Sequence, residues 1–234
     1  MLVDLKLNGK QIIVVGGGSE AYRKALNFVN SGAEILFVSK SFSENIKSLS
    51  HSCGASLLIT EVHDAATFIG SLQPKPDLLV AATNDKDLNT QLVYQAKKLG
   101  CLAYSVDNPS ISDFSLPAVT KVGDVQIAVS TSGKSPAMAR TLRKRIAHMI
   151  KEEDLLKINL QAFARSILKE QVYSQKVRRQ LLYELLNHDK IMVLLKGKKL
   201  DEAQKMTVKI LESRIKELDP KHLPRHPTEK ELAK

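Results

Sequence analysis

The sequence predicts an α/β protein: a doubly wound parallel sheet, then a small antiparallel hairpin and a helical C-terminal region. Three observations predict it. Short apolar, β-branched runs alternate with helical periodicity over the first hundred residues, a glycine cluster directly follows the first run, and the alternation stops after Asp107. Residues 11–15 form the first strand, which Asn8-Gly9 turns the chain into and Gly16, Gly17 and Gly18 close. Residues 20–30 then place Ala21, Ala25, Phe28 and Val29 on one helical face, with Ser31-Gly32 as the stop. A second strand at 34–38 precedes a helix around 43–51, and a third at 55–60 precedes a helix near 64–71. The fourth strand, 77–82, leads into a helix at 86–99 closed by Gly100, and 102–106 is the fifth. Beyond Asp107, residues 116–122 and 125–130 flank Gly123-Asp124 as an antiparallel hairpin. Ser135-Pro136 supplies an N-cap and a first-turn proline for a helix to about Ile150, and helical periodicity continues with interruptions to Leu218. The expected divisions are 1–108, 109–150 and 151–218, with 219–234, which carries Pro220, Pro224 and Pro227 among charges, as a flexible tail.

At 234 residues the chain has room for one large domain or two small ones, and its 43% hydrophobic and 26% charged content is ordinary for a globular protein. No apolar run approaches the roughly 20 residues that a membrane-spanning helix needs. The first ten residues carry Asp4 and no small-residue cleavage site, so no secretory signal is expected. Cys53 and Cys101 have no CxxC spacing, which suits free thiols in a reducing cytoplasm. Lys and Arg number 35 against 25 Asp and Glu; ten of each fall within 1–108, so the whole excess of +10 lies beyond. A neutral first segment suits a small ligand, and a basic second one suits an anionic partner: nucleic acid, a membrane surface or a polyanionic metabolite.

The run Gly16-Gly17-Gly18-Ser19-Glu20-Ala21 fits G-x-G-x-x-G/A between a strand and a helix. There the glycines let backbone approach a pyrophosphate and the helix start offers unpaired N–H groups; the alternative is a turn built for close strand–helix packing. Dinucleotide sites often carry an acid at the end of strand two for the ribose hydroxyls, but this chain has Ser39-Lys40-Ser41, which leaves NAD against NADP open. Lys40 either meets a 2′-phosphate or is an ordinary solvated lysine. Ser132-Gly133-Lys134-Ser135 looks like the end of a phosphate-binding loop, yet the glycine required five places before Gly133 is Ala128, and the segment follows a hairpin, so a nucleoside triphosphatase is excluded. Arg140, Arg143 and Lys144 share a helical face that is either a clamp for carboxylates or phosphates or a solvated surface. The six histidines are scattered along the chain, so no stable protein metal site is expected.

Gly16 to Lys24, Ala81-Ala-Thr-Asn-Asp85, Val106-Asp107, Asp113-Phe114 with Leu116-Pro117, and Ser130 to Pro136 with Ala139-Arg140 together resemble the precorrin-2 dehydrogenase and sirohydrochlorin ferrochelatase family of siroheme synthesis. The blocks keep the family's order and spacing over residues 5–150. The resemblance implies a Rossmann domain at 1–108, a dimerisation region at 109–150, a helical region at 151–218 and a cytoplasmic homodimer. It implies oxidation of precorrin-2 to sirohydrochlorin with NAD; some members also insert ferrous iron, which here would have to rest on Asp107 or on a partner enzyme. Carried over by position, cofactor contacts fall on Gly16, Gly18, Ser19, Glu20, Lys40 and Ser41, with Asn84 as a further contact, and substrate contacts on Thr131, Ser132, Lys134, Arg140 and Arg143. The proposed catalytic aspartate falls on Asp107, at the carboxyl end of strand five, where ligands of open α/β sheets collect; its alternative role is a cap before Asn108-Pro109. An octacarboxylate substrate suits the basic second half. It is favoured over nucleic acid, since no helix-turn-helix, RRM or zinc pattern occurs and aromatics are only 5%.

Two departures from the family bear on function. Glu20 stands where an apolar residue is usual, and its carboxylate either occupies N–H groups that should face the pyrophosphate or points to solvent. Thr131 and Ser132 replace a usual serine and a usual glycine, narrowing backbone freedom near the substrate. Both departures motivate a rival expectation, a non-catalytic dinucleotide- or tetrapyrrole-binding protein.

Overall fold

The computed structural model describes residues 2–218 and His222. The tail expected at 219–234 lies, His222 apart, outside the described residues. The chain divides into two compact units after Leu116.

The first unit holds five parallel strands: β1 (Gln11–Val15), β2 (Glu34–Ser39), β3 (Ser56–Ile59), β4 (Leu78–Ala81) and β5 (Leu102–Ser105), in the order β3-β2-β1-β4-β5. The crossovers are α1 (Ser19–Ala25), α2 (Glu44–Cys53), α3 (Ala65–Ser71) and α4 (Lys86–Lys98). Ile12 and Val14 of β1 face Ala21, Ala25, Ile46 and Leu49 of α1 and α2, while Ile13 and Val15 face Ala65, Ile69, Leu92, Val93 and Ala96 of α3 and α4. A strand buried on both faces has no solvent side, which is why β1 reads as an unbroken apolar run from Ile12 to Val15. Full burial of each such side chain contributes about 1.5–3 kcal/mol. β1 pairs with β2 on one side and β4 on the other, so the winding direction reverses beside it.

The helix expected at 20–30 is shorter. α1 stops at Ala25, and the chain turns through Asn30 (φ 60°) and Gly32 (φ 79°) into β2. Asn27 is the cause visible in the sequence: its side-chain amide donates to the Lys24 carbonyl at 3.0 Å, and short-range bonds from Asn27 and Phe28 N–H to Lys24 and Ala25 carbonyls replace the helical ladder. Phe28 is nevertheless buried and Val29 half-buried, so the apolar positions reach the core by a different backbone.

Residues 109–116, which the sequence groups with the following region, belong to the first unit. Asp113 N–H donates to the Ala103 carbonyl and its Oδ2 accepts from Ala103 N–H, both at 2.9 Å, and Oδ1 pairs with Lys97 at 2.8 Å. Phe114 stacks on Tyr104 with ring centroids 5.5 Å apart. Asp77, just before β4, is bonded by Lys10 Nζ at 2.8 Å and Gln11 N–H at 2.9 Å, and Lys10 foremost holds its carboxyl below the ordinary range. A depressed carboxyl stabilises the fold at neutral pH, and that contribution is lost as the pH falls through the ordinary carboxylate range and below it.

In the second unit β6 (Ala118–Val122) and β7 (Val125–Val129) form the hairpin, with Val122 opposite Val125 and Gly123 at φ 56°. α5 (Pro136–Met149) begins at Ser135, whose Oγ accepts from Met138 N–H at 3.3 Å. α6 (Glu152–Gln171), α7 (Gln175–Leu186), α8 (Asp189–Lys196) and α9 (Leu200–Lys216) bury Leu160, Leu168, Leu185, Ile191, Leu195 and Leu211 against one another. No described helix is long and apolar enough to cross a membrane.

Cys101 is buried, and burial foremost, then the carboxylates of Asp77 and Asp113, pushes its thiol up to about 12. Cys53 is half-buried. Titrated with a thiol reagent at pH 8, the native protein is expected to take up one equivalent promptly and the second only on unfolding, because the thiolate is the reactive form. Two equivalents at equal rates would contradict this burial.

Candidate active site

The glycine loop leaves β1 at the point where the winding reverses. Gly16 takes φ 138°, and a Cβ there would collide with the carbonyl oxygen of Ala82, just past β4. A Cβ on Gly17 would collide with the Ser41 carbonyl and stand 2.8 Å from Ser39 Oγ. These two glycines are therefore required for backbone to pass the exits of β4 and β2. Gly18 is different: open space surrounds its Cβ direction, and it caps α1 with no side-chain hydrogen bond to the helix start. Close packing accounts for Gly16 and Gly17, and it does not account for Gly18, whose Cβ direction opens onto free space.

A cleft of about 510 Å³ opens beside this loop, lined by the exits of the first four strands: the three glycines, Ser39 to Ser41, Thr60 to His63, and Ala82 to Asp85, with Leu88 and Gln91 of α4. Its size is that of a small-molecule site, and it stands where open α/β sheets bind ligands. A backbone cradle with no side chain at Gly16 to Gly18 fits the pyrophosphate of a dinucleotide.

Of the residues singled out in the sequence, Gly16, Gly18, Lys40, Ser41 and Asn84 share this cleft. Ser19 and Glu20 lie in the first turn of α1, exposed and outside the lining. The Glu20 carboxylate pairs with Arg23 one turn on, so it is directed along the helix surface. Lys40 Nζ stands 3.2 Å from Glu61 Oε1, and Glu61 Oε2 is 3.8 Å from His63 Nε2. A carboxylate beyond β3 thus stands beside Lys40 at the exit of β2. Glu61 was legible in principle, because the strand-end rule that selects Lys40 applies equally to the next strand.

Asp107, two residues past β5, is exposed. Its Oδ1 accepts from Asn89 Nδ2 and from Ser105 Oγ, each at 2.8 Å. The capping role that the sequence allows it is not what these bonds describe, since the Asn108 N–H goes to Ser105 Oγ at 3.3 Å. Among the described residues no cluster of three or more His, Cys, Asp or Glu could hold a metal ion.

The remaining residues fall in the second unit. Ser132, between β7 and α5, has φ 52°, a left-handed conformation that a serine adopts at a cost of about 1–2 kcal/mol. Its N–H donates to Ser130 Oγ at 3.2 Å, and Thr131 Oγ1 accepts from Ser135 N–H at 3.0 Å. Lys134 and Arg140 are exposed. Arg143 Nη1 donates to the Val119 carbonyl at 2.9 Å and ties α5 to β6.

A reversing parallel sheet with a glycine cradle at the reversal defines a Rossmann-type protein that binds a nicotinamide dinucleotide. An NAD(P)-binding family model matches residues 3–118, and the model for the central part of the sirohaem biosynthesis protein matches 122–149. A relative from Methanocaldococcus jannaschii is 31% identical over 82% of this chain and 92% of its own. The precorrin-2 dehydrogenase of Methanosarcina barkeri is 31% identical over 80% of this chain and 83% of its own. Siroheme synthase 1 of Aeromonas salmonicida is 31% identical over 85% of this chain, which spans 42% of that longer protein. The solved precorrin-2 dehydrogenase SirC shares the fold, with a TM-score of 0.69 at 22% identity over 89% of this chain and 99% of its own. The chain belongs to the precorrin-2 dehydrogenase family.

Proposed function

We infer that the protein is an NAD-dependent precorrin-2 dehydrogenase of siroheme synthesis, producing sirohydrochlorin in the cytoplasm. The observation that carries this reading is a carboxylate, Asp107, fixed at the end of β5 in the same unit as the glycine-cradled cleft. Gly16, Gly18, Lys40, Ser41 and Asn84 hold the dinucleotide, which when bound supplies the hydride acceptor. Asp107 takes the proton that the macrocycle loses. Thr131, Ser132, Lys134, Arg140 and Arg143 are the substrate contacts, and a basic second unit suits a macrocycle bearing carboxylates. Glu20, paired with Arg23, leaves the start of α1 free for the cofactor and removes one motive for a non-catalytic protein. Purified protein mixed anaerobically with precorrin-2 and NAD is expected to form sirohydrochlorin and NADH together; folded protein without turnover would sink the reading.

Glu61 supports NAD over NADP. Its carboxylate lines the cleft beside Lys40, engages that lysine's charge and would repel a 2′-phosphate. In Glu61→Ala the lysine is released, and the ratio of NADP to NAD affinity is expected to rise about tenfold or more. Titration of both cofactors into parent and variant checks it, and an unchanged ratio would remove Glu61 from cofactor selection.

The working unit is a homodimer built on the hairpin and the helices after it. Val119 of β6 and Met138, Ile146 and Met149 of α5 are exposed apolar side chains on those elements, as a dimerisation region requires. Sedimentation equilibrium tests it, with twice the 25.9 kDa chain mass expected.

A further inference from the structure

Asn89 sits on the buried stripe of α4 with Leu92, Val93 and Ala96, and is 1% exposed. An apolar residue would pack at that position without hydrogen-bonding demands. Instead all four capacities of the amide are used. Its Oδ1 accepts from Thr83 N–H at 3.0 Å and from Thr83 Oγ1 at 2.8 Å; its Nδ2 donates to the Thr83 carbonyl at 3.1 Å and to Asp107 Oδ1 at 2.8 Å. Ser105, the last residue of β5 and fully buried, gives its hydroxyl proton to the same Asp107 oxygen. Two buried donors from two different elements therefore converge on one oxygen of an exposed carboxylate. Among the described residues Oδ2 has no partner.

We propose that Asn89 and Ser105 are positioning residues for the reaction: together they lock the Asp107 carboxylate in one rotamer, with Oδ1 engaged and Oδ2 presented to the substrate's acidic hydrogen. The proposal rests on Asp107 as the proton acceptor. Fixing a base before the substrate arrives removes the rotational freedom that would otherwise be lost on the way to the transition state, so these residues act on turnover rather than on binding. Asn89 has a second duty. Through Thr83, which lines the cleft, it holds the exit of β4, whereas Ser105 touches no residue of that exit by its hydroxyl.

The test uses the full chain, with kcat, KM for precorrin-2 and the NAD dissociation constant measured for each variant. Ser105→Ala deletes the donor to Asp107 and the weaker acceptor for Asn108 N–H at 3.3 Å, and it is expected to lower kcat about tenfold, with KM and NAD affinity within about twofold. Ser105→Thr restores the hydroxyl and should recover most of kcat. Asn89→Ala is expected to lower kcat and weaken NAD together, because it releases Thr83 as well. In an Asp107→Ala background, Ser105→Ala should cost nothing further. If Asp107→Ala is inactive while Ser105→Ala keeps parental kcat, or if Ser105→Ala costs the same with and without Asp107, positioning is overturned and the base assignment stands. If Asp107→Ala turns over like the parent, the base assignment fails and positioning falls with it.

Discussion

Gly18→Asp is expected to fold like the parent and to lose dinucleotide affinity by about a hundredfold or more. Nothing lies within 4 Å of the position its Cβ would take, and its backbone is extended at φ −95°, so the substitution strains neither loop nor helix. Aspartate is also a favourable N-cap, and its carboxylate would bond the N–H groups at the start of α1. That is where the damage arises: the groups that should meet a pyrophosphate are occupied, and two anions are brought together, a juxtaposition that costs several kcal/mol. Calorimetry with NAD measures the loss, and thermal melting shows that folding is intact. Gly17→Ala is the informative contrast. Its methyl group meets the Ser41 carbonyl, so it should lower stability by about 1–3 kcal/mol, which the same melt reads. Undiminished NAD affinity in Gly18→Asp would refute the placement of the cofactor against this loop.

Asp107→Ala should separate chemistry from cofactor binding. Asp107 is not among the residues lining the cleft, so NAD affinity is expected to stay within about twofold, while kcat falls by about 10²- to 10⁴-fold, the usual worth of a positioned acid or base. Stability should fall by about 1–3 kcal/mol, because Asn89 Nδ2 and Ser105 Oγ each lose an acceptor. Asp107→Asn keeps the shape and removes the basicity; equal loss in both variants assigns the effect to the carboxylate itself. Parental turnover in either variant would take Asp107 out of the mechanism.

The sheet was legible because the central parallel strands β1 and β4 are buried on both faces and leave uninterrupted apolar runs, as at 12–15 and 78–81, between turns rich in glycine, serine and asparagine. The helix after β1 was misjudged for a reason of the same kind. Apolar spacing locates the side chains that must reach the core, and Phe28 and Val29 do reach it, but spacing says nothing of Asn27 competing for the backbone. The positions of the glycine loop after β1 and of Asp107 past β5 were legible through motif and strand end. Asn89 left a trace that went unused, a polar residue on the stripe that continues through Leu92, Val93 and Ala96. The Lys40–Glu61 pair joins residues 21 apart in sequence, and only the register of β2 beside β3 brings them together. Glu20 could have pointed either way, and its pairing with Arg23 depends on rotamers that one-letter code does not carry.

The loop that carries Gly17 is bonded twice to β2 and the turn that follows it. Gly16 N–H donates to the Val38 carbonyl at 2.8 Å, and the Gly17 carbonyl accepts from Ser43 N–H at 2.9 Å, so the turn after β1 and the turn after β2 are one rigid bracket. With the cofactor placed as proposed, the wall for the phosphates and the wall for the adenosine ribose would be held together before any ligand arrives. A dinucleotide bound against this loop would spend little of its binding energy on ordering the protein.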